Sequence, residues 1–272
     1  MRIKPISVPV LIGTFLLFAC NKHSAVSLDF TNAKGEVPQL GNLYFRFNQS
    51  LIGDSMLNAW DSTDYISFEP RIPGKFRWES PDQLVFSPSQ PLLPATSYKA
   101  QIKNALLRFS KYNSVNGAEG ISFHTPELTL NNSQVVWMPV TESSSSAVPQ
   151  LDLQFNYRIN PADLKEKLSI EVDGQKADYN LITMSADNKI SIRIINLKMQ
   201  DKDYETKVSI DKGLKPENGN NPTDEAITSS LSIPSPSVLI IQGLQKFAAI
   251  AQFVKPDVDR IDKAHQTCSK TV

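Results

Sequence analysis

Apolar and polar residues alternate with a period of two through most of this chain. Leu43, Phe45 and Phe47 share one face of a strand, with Tyr44, Arg46 and Asn48 on the other. Ile66 and Phe68, Phe76 and Trp78, and Leu84 and Phe86 alternate likewise. Pro70, Pro73-Gly74 and Ser80-Pro81-Asp82 break the chain between these runs. The same rhythm returns later. Leu151, Leu153 and Phe155 predict a strand, and Leu168, Ile170 and Val172 lead into Asp173-Gly174, a pair that tolerates the positive φ of a tight hairpin. Ile190, Ile192 and Ile194 alternate with Lys189, Ser191 and Arg193, and Val208 with Ile210 closes the set. Between them Asn160-Pro161-Ala162-Asp163-Leu164 predicts one helical turn with proline near its start. Short strands punctuated at intervals of about ten residues predict an all-β chain of sandwich type. Eighteen prolines against eleven glycines fit stiff corners rather than long helices.

The two halves repeat. A shift of 108 positions lays Phe45 and Phe47 on Leu153 and Phe155, Leu84 and Phe86 on Ile192 and Ile194, and Ala100 and Ile102 on Val208 and Ile210. Phe123 falls on Leu231, Pro126 on Pro234, and Asn48 on Asn156. Two copies of one domain explain a register kept over this distance. The expected division is a leader at 1–19, a first Ig-like sandwich at 20–126, a second at 127–235, and a tail at 236–272. Ser143–Ser146, four serines in a row, predict an exposed linker or loop. Leu244, Phe247, Ala248, Ile250 and Ala251 suit one face of a helix, so the tail reads as helical or as the truncated start of a third domain.

The N-terminus is an address. Arg2 and Lys4 precede an apolar run from Val8 to Ala19, too short to cross a bilayer but long enough for an export signal. Leu17-Phe18-Ala19-Cys20 resembles a bacterial lipobox. That resemblance implies cleavage before Cys20, acylation of its thiol, and a soluble body held on a membrane by acyl chains. Asn21 and Lys22 differ from the aspartate of inner-membrane retention signals, which implies an outer-membrane location.

Charge and chemistry narrow the function. Lys and Arg together number 28, and so do Asp and Glu, so no net field draws the chain to nucleic acid. Two cysteines exclude a disulfide framework, and with Cys20 acylated Cys268 has no partner in the chain. The three histidines are scattered, no Gly-x-Ser-x-Gly elbow occurs, and no His-Glu-x-x-His helix occurs. No enzyme, metal site or cofactor is expected. His124 reads as a surface residue. The polar run Glu217–Glu225 offers oxygen ligands, but its spacing is not that of an EF-hand, and it reads as a long loop. Among the aromatics Trp78 alternates with charged neighbours and is expected in the core, whereas Trp60 stands outside any clean alternation and is the candidate exposed binding aromatic.

One stretch has a family likeness. Ile66-x-Phe68-x-Pro70, Pro73-Gly74, Phe76-x-Trp78 and Leu84–Pro88 run into Pro91-Leu92-Leu93-Pro94-Ala95-Thr96-Ser97-Tyr98. This resembles a bacterial Ig-like module. Placed after a lipobox and before a divergent copy, it resembles the N-terminal region of bacterial alpha-2-macroglobulin lipoproteins. The resemblance implies macroglobulin-like sandwiches that anchor and support a protease trap, with proteases as partners through further domains. The Cys-Gly-Glu-Gln thioester of many such traps is absent, and Cys268 is followed by Ser269-Lys270. The alternative expectation is a surface lipoprotein whose sandwiches bind glycans or act in adhesion.

Overall fold

The computed structural model describes residues 24–117, 119–140 and 146–235. The leader with Leu17, Phe18, Ala19 and Cys20, three of the four serines, and the tail with Cys268 lie outside the described residues. The first half holds β1 (Ala25–Thr31), β2 (Gly35–Glu36), β3 (Leu43–Phe47), β4 (Trp60–Asp61) and β5 (Ile66–Glu69). It continues with β6 (Gly74–Ser80), β7 (Gln83–Pro88), β8 (Ser97–Ile102), β9 (Ser114–Asn116) and β10 (Ile121–His124). The second half holds β11 (Leu130–Pro139), β12 (Ala147–Ile159), β13 (Leu168–Val172) and β14 (Gln175–Lys176). It ends with β15 (Tyr179–Leu181), β16 (Asp187–Ile194), β17 (Tyr204–Ile210) and β18 (Ile227–Ile233). The helical turn α1 (Pro161–Lys165) is capped by the Asn160 side chain, which accepts from the Ala162 amide, and proline opens it.

These strands form four sheets, ordered β4-β6-β7-β3-β1-β9, β2-β10-β8-β5, β11-β12-β16-β15 and β14-β13-β17-β18. The alternation dictates how they pack. In the first pair of sheets Phe45, Phe47, Phe76, Trp78, Leu84 and Phe86 meet Ile66, Phe68, Tyr98 and Phe123 in one buried cluster. Phe68 and Phe86 join the sheets, their ring centroids 4.7 Å apart. In the second pair Leu151, Leu153, Phe155 and the isoleucines of β16 meet Ile170, Val208 and Ile210. Each fully buried side chain of this size contributes about 1.5–3 kcal/mol through water released from its surface.

Strand pairing carries the repeat further than the sequence does. Thr31 lies opposite Phe45 and Leu28 opposite Phe47; Ser133 lies opposite Leu153 and Leu130 opposite Phe155. Both ladders slip at the corresponding step, between Leu28 and Phe30 and between Leu130 and Asn132. An asparagine closes each slip. The Asn48 amide donates to the Ser27 carbonyl at 3.0 Å and its Oδ1 accepts from the Ser27 amide at 2.9 Å. Asn156 does the same with Thr129, at 3.1 and 2.9 Å. Next to each slip the asparagine side chain thus takes a backbone amide that has no carbonyl opposite it.

The structure corrects several expectations. The match of Leu84 and Phe86 is two residues off: Phe86 faces Leu43, and the residue facing Leu151 is Ile192, so Phe86 corresponds to Ile192 and Leu84 to Ile190. The serine run joins two paired strands, since Pro139 lies opposite Ala147 and the Val140 amide donates to the Ser146 carbonyl. The residues on either side of 141–145 are paired inside the second pair of sheets, so the run does not lie between the halves. Asp173 and Gly174 both take positive φ, 49° and 75°, as the hairpin required.

The asparagine closures are testable. Asn48→Ala and Asn156→Ala should each cost about 1 kcal/mol, measured by urea unfolding monitored by circular dichroism. A cost within error at both positions would show that water replaces the side chain without loss.

Candidate functional site

Trp60 sits on the edge strand β4, half exposed. It lies opposite Arg77 of β6, whose guanidinium is 4.7 Å from the centroid of the indole. Such a stack holds an aromatic ring with about 0.5–1 kcal/mol at an exposed site. Arg77 is itself fixed: Nη2 donates to Glu79 at 2.6 Å, and the other Glu79 oxygen accepts from Gln83 Nε2 at 3.2 Å. Asp61 anchors the strand from the inner side. Its carboxylate accepts from the Thr63 amide and hydroxyl, both at 2.8 Å, and from the Tyr65 hydroxyl at 2.6 Å. Burial works to raise the Asp61 carboxyl, but these hydrogen bonds outweigh it and hold the group below its ordinary value. The Tyr65 phenol moves the other way, raised by burial and by the carboxylate it serves. Trp78, Tyr65 and Tyr98, by contrast, are core residues at 2% exposure each.

The Pro94–Tyr98 motif and the polar run Glu217–Glu225 come together. The Asn221 amide donates to the Ala95 carbonyl at 2.7 Å, and Asn221 Nδ2 to Ser97 Oγ at 2.9 Å. The Asn220 amide donates to Thr96 Oγ1 at 3.3 Å. Gly219 passes so close that a Cβ there would lie 2.7 Å from the Pro94 carbonyl oxygen and 2.4 Å from Pro216 Cγ. On the receiving side Thr96 and Thr125 are fully buried and hydrogen-bonded to each other through amide, carbonyl and hydroxyl. Tyr98 accepts from the Leu93 amide at 2.8 Å and so pins the corner that presents these groups. The loop is held at its base by Thr223, which exchanges hydrogen bonds with Gly213 and Leu214. Tyr157 adds a bond from its hydroxyl to the Pro126 carbonyl at 3.0 Å. The run therefore gives two backbone amides and the Asn221 side-chain amide to a joint between the two halves, while its Glu217 carboxylate pairs with Arg158 at 2.9 Å. Among the described residues no three His, Cys, Asp or Glu side chains gather as a metal site.

Two other polar places need a chemical reading. Asp152, nearly buried on the outward face of β12, accepts from Ser191 at 2.7 Å, Gln150 at 3.1 Å and Gln134 at 3.5 Å, and pairs with Lys189 at 2.8 Å. Burial works to raise its carboxyl, and the lysine, serine and glutamine donors more than offset that and lower it. A carboxylate saturated by donors is a cross-strand staple rather than a general base. His124, half-buried at the end of β10, lines an open depression of about 540 Å³ with Glu69, Ser97, Lys99 and Ser122. Its Nδ1 lies 3.2 Å from the Thr125 carbonyl.

Removing one donor from Asp61 should show in its titration. In Tyr65→Phe the Asp61 carboxyl is expected to titrate higher than in the wild type, read by carboxyl carbon NMR. A carboxylate held below its ordinary value stabilises the fold above that value, and the contribution is lost as pH falls through the folded-state value. Tyr65→Phe should therefore lose less stability than the wild type between pH 5 and pH 3, read from urea midpoints, where those pH limits are about one unit either side of an ordinary carboxyl. An unchanged titration would remove the tyrosine from the cause.

No family model matches the chain, and no curated protein matches it. Solved structures do. L,D-transpeptidase 3 from Mycobacterium tuberculosis is similar at 11% identity over 48% of this chain and 45% of that one, with a TM-score of 0.25. This chain thus spans less than half the length of that enzyme. An L,D-transpeptidase from Mycobacterium tuberculosis H37Rv is similar at 10% identity over 62% and 76%, with a TM-score of 0.26. The titin Ig tandem domains A164-A165 are similar at 7% identity over 74% and 91%, with a TM-score of 0.27. At these TM-scores the likenesses carry no argument about what the chain does.

Proposed function

We propose that the chain is the anchored, non-catalytic scaffold of a bacterial macroglobulin-type protease-inhibitor system. In this reading residues 20–126 and 127–235 are two tandem Ig-like sandwiches, acylated at Cys20 and held at the outer membrane. The observation that carries it is the joint. The Pro94–Tyr98 motif, on which the family resemblance rests, receives the loop at Gly219–Asn221 through backbone and side-chain hydrogen bonds. A spacer that positions another body needs such a fixed junction, because a flexible one would spread its load over many orientations. The lipobox Leu17-Phe18-Ala19-Cys20 supplies the tether, and the balanced charge of the chain suits a polar compartment without drawing it to nucleic acid.

Fractionation tests the anchor. In a Gram-negative host the wild type should sediment with outer membranes and carry an acylated N-terminal peptide by mass spectrometry, while Cys20→Ala should become soluble. A soluble wild type overturns the anchor. Cross-linking of native envelopes should recover a protease or a bait-bearing chain with the wild type, and recovery of neither counts against the inhibitor system. The joint has its own test. Gly219→Val should open it and raise the radius of gyration in X-ray scattering, with both cores retained by near-UV dichroism. An unchanged scattering profile would mean that the halves do not depend on this contact.

A further inference from the structure

A second surface lies on the outward side of the first sheet. Register places four side chains on one line across it: Trp60 opposite Arg77, Arg77 opposite Val85, and Val85 opposite Tyr44. At the usual strand spacing this line is about 14 Å long. The neighbouring row brings Gln83 opposite Arg46, and Arg46 opposite Phe30. Val85 points away from the core cluster and yet is fully buried. The face carries the Trp60 ring at one end, Tyr44 at the other and the half-exposed Phe30 beside them.

The two arginines of this face are fixed and neutralised in pairs. Arg77 is held by Glu79, and Arg46 by Asp29 at 3.1 Å, with its guanidinium 5.5 Å from the Phe30 ring centroid. Each arginine already has a carboxylate, and Lys75, exposed in the next row opposite Ser87, adds a single positive charge, too little to draw a nucleic acid, an acidic polymer or an anionic membrane. It offers aromatic faces and fixed donors and acceptors, held in place before any ligand arrives. We infer that this face binds an uncharged polysaccharide laid across the strands. The C–H face of a sugar ring stacks on Trp60, and the hydroxyls of neighbouring rings meet Glu79, Gln83 and Arg46. The Arg77 guanidinium backs the indole from within the sheet. This site is independent of the anchor and of the inhibitor system.

Affinity electrophoresis of the full chain in detergent, through gels containing hydroxyethyl cellulose, galactomannan, dextran or xylan, tests it. At least one of these should retard the wild type. Trp60→Ala should weaken that retardation about tenfold or more, as expected for an aromatic anchor. Tyr44→Ala, at the far end of the line, should weaken it as well, and covers the case in which the Trp60 variant fails to fold. Phe109→Ala removes an exposed aromatic elsewhere and should bind as the wild type does. The inference is overturned if no neutral polysaccharide retards the wild type, if only dextran sulfate does, or if folded Trp60 and Tyr44 variants bind undiminished. Capture of a protein by this face, with no polysaccharide bound, overturns it too.

Discussion

The asparagine closures at the start of each half set the rest of the architecture. β1 must serve two neighbours. Its first residues run parallel to β9, and its later ones run antiparallel to β3. The two partners lie along its opposite edges, and the slip falls where the pairing with β9 ends and that with β3 begins. Just outside the slip the Ser27 carbonyl accepts from the Asn48 amide, and the Ser27 amide goes to the Asn48 side chain. Asn156 repeats the arrangement at Thr129 and adds a bond from Nδ2 to the Glu127 carbonyl at 2.7 Å. With the slip fixed, Val26 and Thr31 both point inward although five residues separate them. An unbroken period of two would have sent one of them to solvent.

This same slip explains what could and could not be read from the chain. Strands read before any slip were legible: β3, β5, β13, β16 and β17 have the faces their alternation predicts, as does β6 up to Trp78, where its ladder shifts, and α1 and the Asp173-Gly174 turn follow from local chemistry. β1 was not legible, because Ala25–Thr31 changes face midway and shows no steady period, and β11 was legible only at Val135, Val136 and Trp137, which stand before the second alternating run. The match of Asn48 with Asn156 was visible as a coincidence of letters, and only the hydrogen bonds show why asparagine stands at both places. The two-residue error at Leu84 and Phe86 has a different origin. A slip by two keeps every inward residue inward, so a hydrophobic pattern is blind to it. Pairing alone distinguishes Ile190 from Ile192 as the counterpart of Leu84.

Of the candidate chemistry, the exposure of Trp60 was legible from its place outside any alternation, and the partner that holds it was not. Arg77 flanks a core tryptophan in sequence, and nothing in that spacing says that its guanidinium will lie against an indole on another strand. The polar run at 217–225 shows the opposite case. Its oxygens and amides looked available because sequence gives no sign of a partner more than a hundred residues away. In the fold, Gly219 is small because the Pro94 carbonyl approaches it, and Asn220 and Asn221 face Thr96, Ala95 and Ser97. Residues that bind a neighbouring body and residues that bind an ion share a composition, and only geometry separates them.

The joint and the aromatic face make different demands on the same first pair of sheets, and the sheets divide them. The joint is received at the Pro94–Tyr98 corner, where β8 begins, on the four-stranded sheet. Trp60, Tyr44 and Phe30 lie on the six-stranded sheet, whose inner face shares the aromatic cluster with the other. Phe68 against Phe86 at 4.7 Å, and Tyr65 edge-on to Phe76 at 5.6 Å, couple the two sheets through close-packed rings. A core packed this tightly leaves little freedom for one sheet to slide over the other. The position of the aromatic face relative to the corner is therefore set by the core, and an occupant of one does not need to displace anything at the other.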